Sequence, residues 1–175
     1  MKILVLNGSP RKNGNVVKTL QKETEKLQRK YAGSEVVWKN VCDLNFDFCK
    51  GCMACRSKGK CIMPEDDAHK IAQEIDSCNI LIAGTPVYWG NMNGKLKSLF
   101  DRQVGTMMKE SKFGSPLPLH KGKKAIVVTS CTTPFPFNYL CGQSTGAVRA
   151  VKEILKSSGF KIIKTTNISN TKKER

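Results

Sequence analysis

At 175 residues the chain lies inside the roughly 100–200 residues of one domain. With 39% hydrophobic and 25% charged residues it has the composition of a folded globule, which excludes a disordered tail or a fibrous repeat as the main state. Lysine and arginine number 30 against 14 acidic residues; the resulting formal net charge of +16 raises a polyanionic partner but names none, and most of it reads as solvated surface.

No apolar run approaches the roughly 18 residues that span a bilayer, and Ile3-Leu4-Val5-Leu6 is stopped at once by Asn7-Gly8-Ser9-Pro10. The expectation is a cytoplasmic protein, neither membrane-embedded nor secreted, whose eight cysteines stay reduced, bind metal or do redox work.

In chain order, short apolar runs at Ile3 to Leu6, Val36 to Val41, Ile80 to Ala83, Ala125 to Thr129 and Phe160 to Ile163 read as strands. Between the first two, Val17, Leu20, Thr24, Leu27 and Tyr31 share one helical face, with Lys18, Lys22, Lys26 and Lys30 turned away from it. A second helix is expected after Pro64, where Glu65, Asp66 and Asp67 favour a helix N-terminus. A third carries Leu96, Leu99 and Phe100, and a fourth carries Ala147, Val151, Ile154 and Leu155 before Gly159 ends it. Strand alternating with helix, and strands apolar throughout, predict an α/β fold over residues 1–175: a doubly wound five-stranded parallel sheet with helices on both faces. Two irregular stretches remain, a cysteine-rich loop at about 43–64 and a segment from Val104 to Lys121.

Two loops carry chemistry. The first strand runs into Gly8-Ser9-Pro10-Arg11-Lys12-Asn13-Gly14-Asn15 and then a helix, the place in an open α/β sheet where free backbone N–H groups and the helix dipole receive an anion. Neither the NTPase spacing nor the dinucleotide glycine fingerprint is present, so a terminal monophosphate suits the loop better; the rival reading is a plain Gly/Pro turn. After the third strand comes Gly84-Thr85-Pro86-Val87-Tyr88-Trp89-Gly90-Asn91-Met92-Asn93-Gly94, where an aromatic pair and exposed N–H groups could meet a planar heteroaromatic ring or simply be rim or core.

These two motifs, with Asp101-Arg102 after the helix, resemble the NADPH-dependent FMN reductases of flavodoxin-like fold, and the cysteines between them resemble the iron-sulfur flavoprotein branch. The resemblance covers Lys2 to about Ser144. It implies that Ser9, Arg11, Asn13, Asn15 and Val16 hold the FMN phosphate, and that Pro86, Val87, Tyr88, Trp89, Gly90 and Asn91 line the isoalloxazine. It also implies a third flavin loop at Ser130-Cys131-Thr132-Thr133-Pro134, of which Ser130, Thr132 and Thr133 are the candidate contacts. No flavin contact from the tail is implied.

Cys49-x2-Cys52-x2-Cys55-x5-Cys61 can wrap a four-iron four-sulfur cluster from one loop; the same spacing admits structural zinc or free thiols. Cys42, Cys78, Cys131 and Cys141 are not expected to belong to the set, and both histidines, His69 and His120, are expected in ordinary surface or structural roles and not in catalysis. The function expected is an FMN-dependent oxidoreductase that passes electrons from NAD(P)H, or from a reduced carrier such as ferredoxin, to a small-molecule acceptor, with no catalytic side chain because the flavin carries the chemistry. The family further implies a homodimer or homotetramer. Rival readings are an electron carrier without its own substrate and, more remotely, a basic nucleic-acid-binding module, for which no binding motif is evident.

Overall fold

The structure, a computed structural model, describes residues 1–174. Strand β1 (Lys2–Asn7) leads to helix α1 (Asn15–Lys30) and strand β2 (Glu35–Asn40). After a 3-10 turn at Val41–Asp43 come short helix α2 (Ala54–Lys58), helix α3 (Asp67–Ser77) and strand β3 (Ile80–Pro86). Helix α4 (Gly94–Arg102) is followed by α5 (Val104–Met107) and a small antiparallel hairpin of β4 (Met108–Glu110) and β5 (Pro116–Pro118). The chain continues through β6 (Lys124–Ser130), α6 (Phe137–Leu140), α7 (Gln143–Ser157) and β7 (Lys161–Ile168).

The five long strands form one parallel sheet in the order β2-β1-β3-β6-β7. The chain steps outward from β1 to β2 on one side and from β1's other neighbour, β3, to β6 and β7 on the other. The order therefore reverses between β1 and β3, and the crevice at their carboxyl ends is the ligand position of an open α/β sheet.

Residue alternation along the central strands supplies two cores. Leu4, Leu6, Leu81, Ala83, Ala125 and Val127 face α3, α4 and α7, whereas Ile3, Val5, Ile80, Ile82, Ile126 and Val128 face α1. Three long helices thus cover one face and one covers the other.

The edges depart from the expectation of strands apolar throughout. Phe160 is buried ahead of β7 rather than within it, and Lys161, Ile163, Lys164 and Thr165 of that strand are exposed because β7 has a neighbour on one side only. Lys164 turns this exposure to use: its Nζ lies 2.7 Å from both carboxylate oxygens of Glu23, a buried residue of α1. Burial opposes ionisation of Glu23, but hydrogen bonds from Lys164 and Lys26 outweigh it and hold the carboxyl below its usual range. The segment expected to be irregular from Val104 to Lys121 contains α5 and the hairpin, too short to leave a periodic signal.

Candidate functional site

The loop after β1 is built by successive side-chain hydrogen bonds. Asn7, buried at the end of the strand, is fixed by its Nδ2 donating to Asn40 Oδ1 at 3.1 Å, and its own Oδ1 accepts from Ser9 N–H at 3.0 Å. Ser9 Oγ accepts in turn from Arg11 N–H at 3.2 Å. The following helix, α1, is left open: its N-cap is Gly14, which has no side chain to bond the first-turn amides, and no acidic residue occupies that turn. By contrast α3 is capped by Asp66 and α4 by Asn93. The free N–H groups and the positive dipole end of α1 are therefore available to an anion.

A cleft of about 410 Å³ adjoins this turn, within the size range of cofactor pockets. It brings together ten of the fourteen candidate flavin residues: Ser9, Arg11, Asn13, Asn15 and Val16 from the first loop, Pro86, Val87 and Tyr88 from the second, and Ser130 and Thr132 from the third. Gly14, Lys18 and Thr171 complete the lining, which contains two cations and no acid. The second loop is tied to the end of β6, since Val87 N–H donates to Ser130 O at 2.8 Å, and the third to the end of β7, since Cys131 N–H donates to Ile168 O at 2.7 Å. The donor set and its charge fit a phosphate-bearing ligand such as FMN.

Four candidates lie elsewhere. Tyr88 and Asn91 exchange backbone hydrogen bonds at 2.9 Å in each direction, and Trp89 and Gly90 between them have φ of 51° and 72°, which makes a tight turn with both central residues left-handed. Trp89 stands at its tip, 99% exposed, while Tyr88 faces the cleft. Thr133 is engaged by its neighbours, with its N–H toward Cys131 Sγ at 3.3 Å and its carbonyl accepting from Asn170.

Sequence reasoning missed Lys18 and Thr171. Lys18 lies three residues beyond Asn15, one turn along the face that meets the cleft, a spacing that could have separated it from the solvent-facing lysines. Thr171 carried no signal; it reaches the cleft because its N–H and Oγ1 both donate to Cys131 O, at 3.3 and 3.2 Å.

The cysteine loop is anchored at its C-terminal half. Arg102, at the end of α4 and only 2% exposed, donates from Nη1 to Asp47 O and Asp66 Oδ2, both at 2.8 Å, from Nη2 to Asp66 Oδ1 at 3.1 Å and from Nε to Cys61 Sγ at 3.2 Å. Burial opposes ionisation of Asp66, but the Arg102 guanidinium holds its carboxyl below the usual range. His69 adds a contact at 3.2 Å between Nε2 and Cys61 O and completes the α3 capping box. Arg56 of α2 pairs with Glu110 of β4 at 2.7 Å.

Cys55 rests on Gly105, where a Cβ would come within 2.7 Å of Cys55 O, so only glycine admits this approach. Cys49 and Cys52 are exposed. Among the described residues no three His, Cys, Asp or Glu side chains converge on a point that would hold a metal ion. In kind, however, the donors fit a thiolate-bound centre: four thiols, basic residues between them, no acid from Cys49 to Cys61, and N–H groups directed at two of the sulfurs, from Gly51 to Cys49 at 3.4 Å and from Arg102 to Cys61.

The other cysteines lie apart. Cys78 is in the core, its thiol pushed up to about 11 by burial; Cys131 is buried at the end of β6, Cys141 is exposed after α6 and Cys42 lies near Gly8 O. His120 is buried and donates no charge to the cleft, which neither histidine lines.

A five-stranded parallel sheet in this order, with its cleft at the switch point, defines a flavodoxin-like fold. The sequence pattern of the NADPH-dependent FMN reductases matches residues 1–133, and the chain belongs to that family. It is 36% identical over 104 residues to an iron-sulfur flavoprotein of Archaeoglobus fulgidus, covering 58% of this chain and 48% of that one. It is 34% identical over 104 residues to an iron-sulfur flavoprotein of Methanosarcina thermophila, covering 59% and 53%. The chain thus spans about half the length of the curated relatives it matches. Among solved structures, an FMN-dependent NADH-azoreductase of Bacillus anthracis in complex with FMN superposes with a TM-score of 0.76 at 16% identity, covering 97% of this chain and 87% of that one, a likeness of fold. No helix among the described residues is long and apolar enough to cross a membrane.

Proposed function

We propose that the protein is an FMN-dependent oxidoreductase that takes electrons from NAD(P)H and passes them to an acceptor. The observation that carries this reading is the uncapped N-terminus of α1 opening on an acid-free cleft at the sheet's switch point, in a chain of the FMN reductase family. In it, the α1 amides with Ser9, Arg11, Asn13, Asn15 and Lys18 would hold the phosphate, and the Pro86–Tyr88 segment with Ser130 and Thr132 would flank the ring. When bound, the flavin supplies hydride acceptance and one-electron transfer. The chain's own part is to bind and orient it: Arg11 and Lys18 neutralise the phosphate, and the backbone loops present N–H groups to the ring edge. No side chain is assigned an acid or base role.

Cys49, Cys52, Cys55 and Cys61 would hold an iron–sulfur centre, which would add one-electron exchange with a reduced carrier of ferredoxin type as an alternative to NAD(P)H. Assembly as a homodimer or homotetramer in the cytoplasm and a single domain over residues 1–175 belong to the same proposal. Steady-state oxidation of NADPH or NADH by the FMN-loaded protein, with free flavin or a quinone as acceptor, tests the enzyme reading. Reduction of bound FMN in a single turnover without sustained oxidation would support a carrier instead.

A further inference from the structure

We propose that Arg102 is the positioning residue of the cysteine loop: its buried guanidinium fixes Cys61 as the ligand on which an iron–sulfur centre is completed by Cys49, Cys52 and Cys55. This rests on the cluster reading above and extends it to a residue outside the cysteine motif.

The geometry separates Arg102 from a simple strut. Its two terminal nitrogens already satisfy Asp66 at 2.8 and 3.1 Å, which would be enough to lock α3 to α4. The remaining Nε–H is directed instead at Cys61 Sγ, 3.2 Å away and 41 residues distant in sequence. His69 meets the same residue's carbonyl, so Cys61 is gripped at its sulfur by α4 and at its backbone by α3. The other cations of the loop, Lys50, Arg56, Lys58 and Lys60, are not buried; Arg102 alone among them brings a permanent charge to the thiolates away from bulk water, where it acts most strongly.

Cys61 is held by Arg102 of α4 and Cys55 packs on Gly105 of α5, whereas Cys49 and Cys52 are exposed. An N–H donor and a positive charge at a ligating sulfur favour the more electron-rich, reduced cluster, so they raise its reduction potential.

The test uses the full chain, loaded anaerobically with iron and sulfide, in wild-type and Arg102→Lys forms. Lysine keeps the charge but loses the fork that serves Asp66 and Cys61 together. The expected result is a variant that folds and binds FMN as the wild type does, yet has a more negative cluster midpoint by EPR-monitored titration and loses iron to a chelator at least tenfold faster. If Arg102→Lys does not fold, the pair Arg102→Gln with Asp66→Asn removes both charges of the ion pair together, keeps an N-cap on α3, and is expected to show the same two changes. A folded variant with wild-type midpoint and iron release overturns the role of Arg102 while leaving the cluster reading intact. Wild-type protein that takes up FMN but holds no iron after loading overturns both.

Discussion

Single residues set the charge and the reach of the cleft, and each is separable by substitution. Arg11 is exposed at the cleft's rim, so solvent screens it and its contact falls at the low end of the roughly 1.5–3 kcal/mol expected of a charge-assisted hydrogen bond. Arg11→Ala is therefore expected to weaken FMN binding about tenfold, read by flavin fluorescence titration. The aromatic pair divides: Tyr88→Leu should weaken FMN binding, whereas Trp89→Gly should leave it within about twofold and relieve a left-handed backbone at a fully exposed site, stabilising by up to about 1 kcal/mol in urea unfolding. His120 makes a pH prediction. It is 3% exposed, and burial with the charge of Lys123 lowers its pKa from 6.5 to about 4; the carboxylate of Asp76, 3.8 Å from Nε2, does not reverse this because it is largely exposed. The unfolded chain then binds the proton more readily than the folded one, so stability falls as pH drops from about 6.5 to about 4, by roughly 3 kcal/mol, and levels off below. His120→Phe, which can keep the packing on Phe160, should flatten that part of the profile in denaturation measured across pH.

At the scale of elements, the loops around the cleft depend on close contacts between segments far apart in the chain. Gly146, in the first turns of α7, lies so near the Trp89–Gly90 turn that a Cβ there would collide with Gly90 O. Because the obstacle is backbone, Gly146→Ala should displace that turn, destabilise the protein by about 1–3 kcal/mol and weaken FMN binding, although residue 146 does not itself line the cleft. Contacts of this kind explain what the sequence made legible. The strands, the four long helices and the Gly/Asn-rich loop after β1 announce themselves through apolar periodicity and through Gly and Asn at a strand-to-helix junction. The tip position of Trp89, the arrival of Thr171 beside the third loop and the hairpin after α5 depend on pairings between distant segments, which leave no local pattern. Edge exposure of β7 was hidden for a related reason: Ile162 and Ile163 look like core residues until the strand order gives them one neighbour strand instead of two.

For the whole molecule, asymmetry is the organising fact. Three long helices and the cysteine loop occupy one face of the sheet, α1 occupies the other, and the cleft opens where the strand order reverses. The +16 formal charge gives this architecture a field that favours anions, so FMN association should slow as ionic strength rises while the fold is retained. On the function proposed above, the α1 turn is a phosphate site and FMN is its ligand. Equilibrium titration of flavin-free protein with FMN and with riboflavin, which carries the same ring without a phosphate, tests it most directly. The expected result is one FMN per chain, bound at least tenfold more tightly than riboflavin, with the preference reduced in Arg11→Ala. Equal affinity for the two flavins, or no binding of either, would contradict it.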